Sequence, residues 1–296
     1  MEPVVKESLV GRLERARMLD PVAKLLQTGV RSLVPQESKL KELLSGTWLG
    51  HPLHPPLTDV VIGGWTSALL LDLLGGEGAE EAADRLVAVG LIAALPTALS
   101  GLSDWAELSG RSRRVGSVHA IGNSTALTLQ GLSLVARRRG DRGQGLALSL
   151  AGVAIATAAA WLGGHLSFVK GIGVNQAAFG DPPTEWTRVA SAEELGEGAL
   201  TPASADGLEI VLVRTSDQIS ALLDRCAHRG CALHAGRLEN GAIVCSCHGS
   251  TFRLDGTIVR GPASSPQPTL EVRLIDGDVE VRGREALPLG EKPFGR

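Results

Sequence analysis

CAHRGC at residues 226–231 and CSCHGS at residues 245–250 together hold all four cysteines of this 296-residue chain. Cys226-x-His228 and Cys245-x-x-His248 bring two thiolates and two imidazoles from two separate loops. That set suits an iron–sulfur cluster with two cysteines on one iron and two histidines on the other. Zinc accepts the same donors in a tetrahedron. A zinc finger, however, spaces its cysteines closely and then its histidines, whereas each loop here contributes one of each.

The surroundings of the two loops read as a small β domain. Trp186 to Ala190, Leu208 to Arg214, Ile219 to Leu223, Ala242 to Cys245, Thr257 to Val259, Leu270 to Ile275 and Asp278 to Val281 have strand composition. Turn signals such as Asn240-Gly241, Asp255-Gly256 and Asp276-Gly277 separate them. Both hexapeptides then fall at strand ends, where the backbone can set ligand geometry.

Over residues 186–283 the chain resembles the Rieske family. Beyond the four ligands, the resemblance rests on Gly230, Gly249, Phe252 and the loop at Gly261-Pro262. It implies a 2Fe-2S cluster held by Cys226, His228, Cys245 and His248, with Ser250 donating to a bridging sulfide. It also implies a disulfide between Cys231 and Cys247, as in the Rieske proteins of the cytochrome bc complexes. Arg229 and Phe252 are similar instead to the ferredoxin and oxygenase branch, which lacks one hydrogen-bond donor to the cluster. An intermediate reduction potential is the expectation.

Residues upstream of this domain have a different composition. Leu86 to Ser103, Val115 to Ala136 and Gly143 to Val169 run 18, 22 and 27 residues without Asp, Glu, Lys or Arg. Each can cross about 30 Å of hydrocarbon. A weaker first span runs from about Leu57 to Gly75 with Asp59 and Asp72 near its ends. The expected fold is a membrane four-helix bundle followed by an all-β Rieske domain. The expected divisions are amphipathic N-terminal helices at 1–50, the four-span domain at 51–170, a linker at 171–185, the β domain at 186–283 and a tail at 284–296. His51-Pro52-Leu53-His54-Pro55 before Gly63 and Trp65 resembles the four-helix membrane family known as domain of unknown function 2231, over about residues 48–170.

Residues 1–30 mix basic side chains with Leu9, Leu13, Leu25 and Leu26 and do not resemble a secretory signal, so surface helices are expected. A formal charge of −3 leaves no electrostatic case for nucleic acid. Four alternating spans would gather His51, His54, His119 and His165 at one face with Asp59 and Asp104, and the linker near Lys170 leaves from that face. Arg31, Lys39, Lys41, Arg111, Arg113, Arg114 and Lys170 flank it, which points to the cytoplasmic side of a cell inner membrane.

Intramembrane histidines leave three readings open. One is haem b between His119 and His165. Another is a metal site that includes His51 and His54. In the third, the histidines only cap helices and bond carbonyls, Asp59 or Asp104. His234, off the ligand pattern, reads as local packing.

A Rieske oxygenase needs a mononuclear iron held by two histidines and a carboxylate, and no histidine follows His248. The expectation is therefore one-electron transfer with a redox partner protein, quinone being one candidate, rather than a self-contained oxygenase. A redox or metal sensor that relays cluster state to the membrane helices is the alternative.

Overall fold

The structure is a computed structural model that describes residues 9–216 and 218–284. Residues 1–8 of the expected N-terminal helices and residues 285–296 of the expected tail lie outside the described residues. The chain divides into two compact units, Met1–Gly173 and Val174–Arg296.

The first unit is helical. Its helices are α1 (Leu9–Arg15), α2 (Asp20–Leu33), α3 (Lys39–Ser45), α4 (His54–Leu74), α5 (Glu80–Trp105), α6 (Gly110–Arg138) and α7 (Arg142–Gly164), the last extended by a wider turn over His165–Val169. Ser38 starts α3 by accepting the Lys41 N–H. Gly46 ends it in the left-handed region, where a Cβ would strike the His51 carbonyl. Helix α2 packs by its polar side: Gln27 donates to the carbonyls of Trp105 and Leu108, and Arg31 to that of Ala106. These are C-terminal carbonyls of α5 and the turn beyond it, which the α5 helix leaves without partners. Met18, Val22, Leu25, Leu26 and Leu33 stay exposed.

Among the described residues, three helices are long and apolar enough to cross a membrane, over His54–Leu74, Glu80–Trp105 and Arg142–Val169. The weak member is thus α6, not the first span. Its 29 residues supply the length, but Gln130, Ser133 and Arg137 lower its hydropathy. All three are buried in the bundle, so protein partners satisfy them. Gln130 and Ser149 bond one another, and Ser133 donates to Gly145 O.

Helices α4 to α7 form two copies of one hairpin. His54, Val61, Trp65, Ala68 and Asp72 on α4 recur at identical spacing as His119, Ala126, Gln130, Ser133 and Arg137 on α6. The buried positions Ala83, Val87, Gly90, Ala94, Thr97 and Ser100 of α5 recur likewise as Gly145, Ser149, Gly152, Ala156, Ala159 and Leu162, all buried in α7. Glycine serves the same purpose in both copies: Gly90 makes room for the Trp65 ring and Gly152 for the Gln130 amide. Close approach of this kind is how helices gain packing energy where lipid offers no hydrophobic drive. α4 packs on α5 and α7, and α6 packs on the same two helices, so α4 and α6 stand on a diagonal. Trp65, Val61, Ala126, Ala94 and Ala156 fill the middle of the bundle. Asp72 meets Arg137 near one end, and His54 meets His119 near the other.

The second unit is all β. Strands β1 (Thr187–Ser191), β2 (Leu200–Ala205), β3 (Leu208–Thr215), β4 (Gln218–Leu223), β5 (Arg237–Glu239), β6 (Ala242–Val244), β7 (Thr251–Arg253), β8 (Ile258–Arg260), β9 (Thr269–Ile275) and β10 (Asp278–Gly283) make two antiparallel sheets. One has the order β1-β10-β9-β4-β3-β2 and is nearly closed by the approach of β1 to β2. The other runs β5-β6-β7-β8. Asp206-Gly207, Asn240-Gly241 and Asp276-Gly277 form two-residue hairpin loops with positive φ at both positions. β2, β5 and β7 were not expected. β2 carries Pro202, which an edge strand accommodates. β5 and β7 span three residues each, too few to show an alternating pattern.

Candidate metal centre

The smaller sheet presents both hexapeptides. Residues 226–231 follow β4 and lead to β5, and residues 245–250 bridge β6 and β7. Each loop folds the same way. Gly230 N–H donates to Cys226 O, and Gly249 N–H to Cys245 O. Both glycines have positive φ, at 73° and 77°, which a side chain rarely tolerates. The turns aim backbone amides at sulfur: the N–H groups of His228 and Arg229 reach the Cys226 thiol, and those of Cys247 and His248 reach Cys245.

The cysteines are buried at 1% and 2% exposure, while His228 and His248 are half-buried. The two imidazoles meet edge to face with centroids 5.1 Å apart. Cys226 and Cys245 hydrogen-bond one another. That bond lowers the pKa of Cys245 to about 6 and, together with burial, raises that of Cys226. Two thiols close enough to share a proton, and two imidazoles of the same two loops in contact, supply the donor types of a 2Fe-2S cluster with a cysteine pair and a histidine pair. A cluster held there supplies one-electron chemistry.

A disulfide joins Cys231 to Cys247 and ties the loops together. Ser250 is fully buried, and its Oγ accepts the Ala263 N–H at 3.0 Å. Because that lone pair is occupied, the hydroxyl proton remains to be donated.

Two supporting residues escaped the sequence reading. Gln267, 2% exposed, accepts the Ala227 N–H at 2.9 Å and donates to Leu223 O and Arg225 O. It thereby fixes the backbone between the two candidate ligands Cys226 and His228. The visible signal was a lone amide in Pro266-Gln267-Pro268, between strands. Buried Asp224 accepts from both N and Nδ1 of His234, so His234 closes the base of the first loop.

In the helical unit the expected gathering of histidines is only partial. His51 is exposed and bonds the neighbouring Pro52 carbonyl, and Asp59 is exposed. His165 lies by Trp161 and 3.9 Å from Glu14. The imidazole that meets His119 is His54, at 6.3 Å between centroids. The expected partner of His119 for haem b, His165, is not the imidazole that its ring meets. His119 bonds Ala159 O and packs on Gly163, both on the helix that leads into His165.

Residues 185–271 match the family described as the Rieske [2Fe-2S] domain, and residues 50–176 match the family described as a predicted membrane protein, DUF2231. Among curated relatives, cytochrome b6-f complex iron-sulfur subunit 3 of Nostoc sp. is 40% identical over 67 residues, 23% of this chain and 36% of that one. The anthranilate 1,2-dioxygenase ferredoxin subunit of Burkholderia cepacia is 28% identical over 98 residues, 33% of this chain and 91% of that one. The chain spans from 36% to 60% of the length of the b6-f subunits it matches. Among solved structures, the ferredoxin of carbazole 1,9a-dioxygenase from Nocardioides aromaticivorans aligns over 34% of this chain and all of that one, at 25% identity and a TM-score of 0.33.

Proposed function

We propose that the chain is a membrane-anchored Rieske protein that passes single electrons through Cys226, His228, Cys245 and His248 to or from a redox partner. The observation that carries this reading is the asymmetry of burial: the thiols are sealed inside, while the imidazoles reach the surface, where a partner can approach. Relatives named as iron-sulfur subunits of b6-f complexes and as a dioxygenase ferredoxin subunit support it. Four helices, α4 to α7, form the anchor, with the polar residues of α6 turned inward. The uncovered apolar row of α2 rests in the lipid interface. Quinone in the bilayer and a soluble redox protein are the two donor classes to test.

Dithionite-reduced protein is expected to give a rhombic EPR signal with average g below 2. Anaerobic mixing with a quinol analogue, or with a reduced ferredoxin or ferredoxin reductase, should produce the same signal at rates matching steady turnover. Stoichiometric zinc without iron in anaerobically prepared protein would end the proposal.

Ser250→Ala is expected to lower the reduction potential by an amount on the order of tens of millivolts, since a donor to cluster sulfur favours the more negative reduced state. Protein-film voltammetry reads this shift, and an unchanged potential would remove Ser250 from the site.

For sidedness we infer an oxidising compartment, opposite to the side suggested by the basic residues. Arg113 and Arg114 are paired with Asp20, Lys41 with Glu107 and Lys170 with Glu14, which offsets their charge. The disulfide also has an exposed member in Cys247, and reducing compartments open such bonds. Protease added to intact spheroplasts should cut the β domain. Protection there, with cleavage only in inverted vesicles, would restore the cytoplasmic assignment.

A further inference from the structure

His54 and His119 hold equivalent places in the two hairpin copies, and their surroundings repeat with them. His54 Nδ1 lies 2.9 Å from Thr97 O and its ring rests on Gly101. His119 Nδ1 lies 2.7 Å from Ala159 O and its ring rests on Gly163. In both copies the glycine stands four residues after the carbonyl. A Cβ at either glycine would come within 2.9 Å of the ring, so small residues there let each imidazole reach its carbonyl.

A carbonyl oxygen can only accept. Each Nδ1 therefore carries a proton, and in the neutral ring each Nε2 keeps a lone pair. Asn123 Nδ2, 3.1 Å from His119 Nε2, agrees with that tautomer. Two such imidazoles have no proton to place between them, and polar groups inside a spanning bundle are costly unless paired or ligating. An Nδ1–H held by a main-chain carbonyl is also the outer-shell arrangement typical of metal-ligating histidines.

The ring separation suits a single ion. With metal–nitrogen bonds of about 2.1 Å and about 1.2 Å from ring centroid to nitrogen, one shared ion allows centroids up to about 6.5 Å apart. The observed distance is 6.3 Å.

We propose that His54 and His119 bind one monovalent copper ion between the two hairpins, with the Asn123 amide oxygen as a third donor after rotation of the amide. The donors are neutral, include no carboxylate or thiolate, and number at most three. Imidazole suits copper, whereas zinc is almost always four-coordinate in structural sites. The site is independent of the cluster loops.

The test uses the full chain in detergent with its cluster loaded, titrated anaerobically with copper(I) against a chromophoric chelator and, separately, with zinc. The proposal expects one copper per chain in the parent protein and in the His51→Ala and His165→Ala variants. It expects affinity at least about tenfold weaker in His54→Asn and His119→Asn, with the cluster EPR signal unchanged in both. X-ray absorption on the copper-loaded parent, which needs no variant, should find nitrogen or oxygen neighbours only. Absence of copper binding, retention of copper in both asparagine variants, zinc binding in preference to copper, or sulfur in the copper shell would each overturn it. The last would mean that copper sits at the cluster cysteines.

Discussion

Alanine at Cys226, Cys245, His228 or His248 is expected to abolish the rhombic EPR signal. Alanine at Cys231 or Cys247 should instead leave it present after assembly but short-lived. The two classes differ because of what each side chain touches. Cys226 and Cys245 are buried, bonded to one another and served by four backbone N–H groups between them, so no neighbouring thiol replaces a lost one. The remaining two cysteines are committed to their disulfide. That bond contributes by closing a short loop, worth about 3 kcal/mol in the chain-entropy account. Without it, each ligand loop still has its own turn, through Gly230 N–H to Cys226 O and Gly249 N–H to Cys245 O. What is lost is the tie between the loops. Iron content and EPR amplitude followed over hours should separate immediate loss from decay. Equal, immediate loss in all six variants would mean that the disulfide is part of assembly. Decay rates equal to that of the parent in the Cys231 and Cys247 variants would leave it without a role in retention.

How far the fold could be read in advance differs between the two units. The candidate ligands of the second unit stand out because four unusual residues in two short motifs carry chemistry directly. Its hairpins were legible where Asn-Gly or Asp-Gly forces a two-residue loop. Gln267 was not, because a single amide becomes a clamp only once β4 and the loop around Pro266 and Pro268 lie side by side. In the first unit, the charge-free runs marked the helices but said nothing of which faces meet. The same absence of charge led to a ranking of the spans that α6 reverses, since Gln130 and Ser133 are polar without being charged. The readable signal was the duplication. His54, Trp65 and Asp72 match His119, Gln130 and Arg137 in spacing but, the histidines apart, not in type. Because an imidazole is the only identical member of that trio, a scan for similar residues passes over it, while a scan for spacing of small and polar positions finds it. Recognising the repeat would have paired His119 with His54 rather than with His165.

Asp72→Ala is expected to destabilise the helical unit by about 3–5 kcal/mol, the usual cost of removing one partner of a buried ion pair. Arg137 is 1% exposed and Asp72 6%. The guanidinium reaches both Asp72 oxygens, as well as Asp84 at 3.1 Å and Ser133 Oγ at 3.0 Å. Arg142 adds bonds to Asp72 and Asp84. Arg142 also reaches Glu80 at 3.3 Å, so three carboxylates surround two guanidinium groups; loss of Asp72 removes the most buried of the three and takes the bidentate partner from Arg137 at a site that water barely reaches. Asp84, at 26% exposure, can compensate in part, which sets the effect toward the lower end of that range. Thermal unfolding in detergent, followed by tryptophan fluorescence, should fall by roughly 10 °C for a unit of this size. The paired replacement Asp72→Leu with Arg137→Met removes both charges and fills the space with apolar atoms, so it should cost less than Asp72→Ala alone. A double variant as unstable as the sum of its two single variants would show that the two residues act separately, and that the hairpin copies are not held together by their charges at this end.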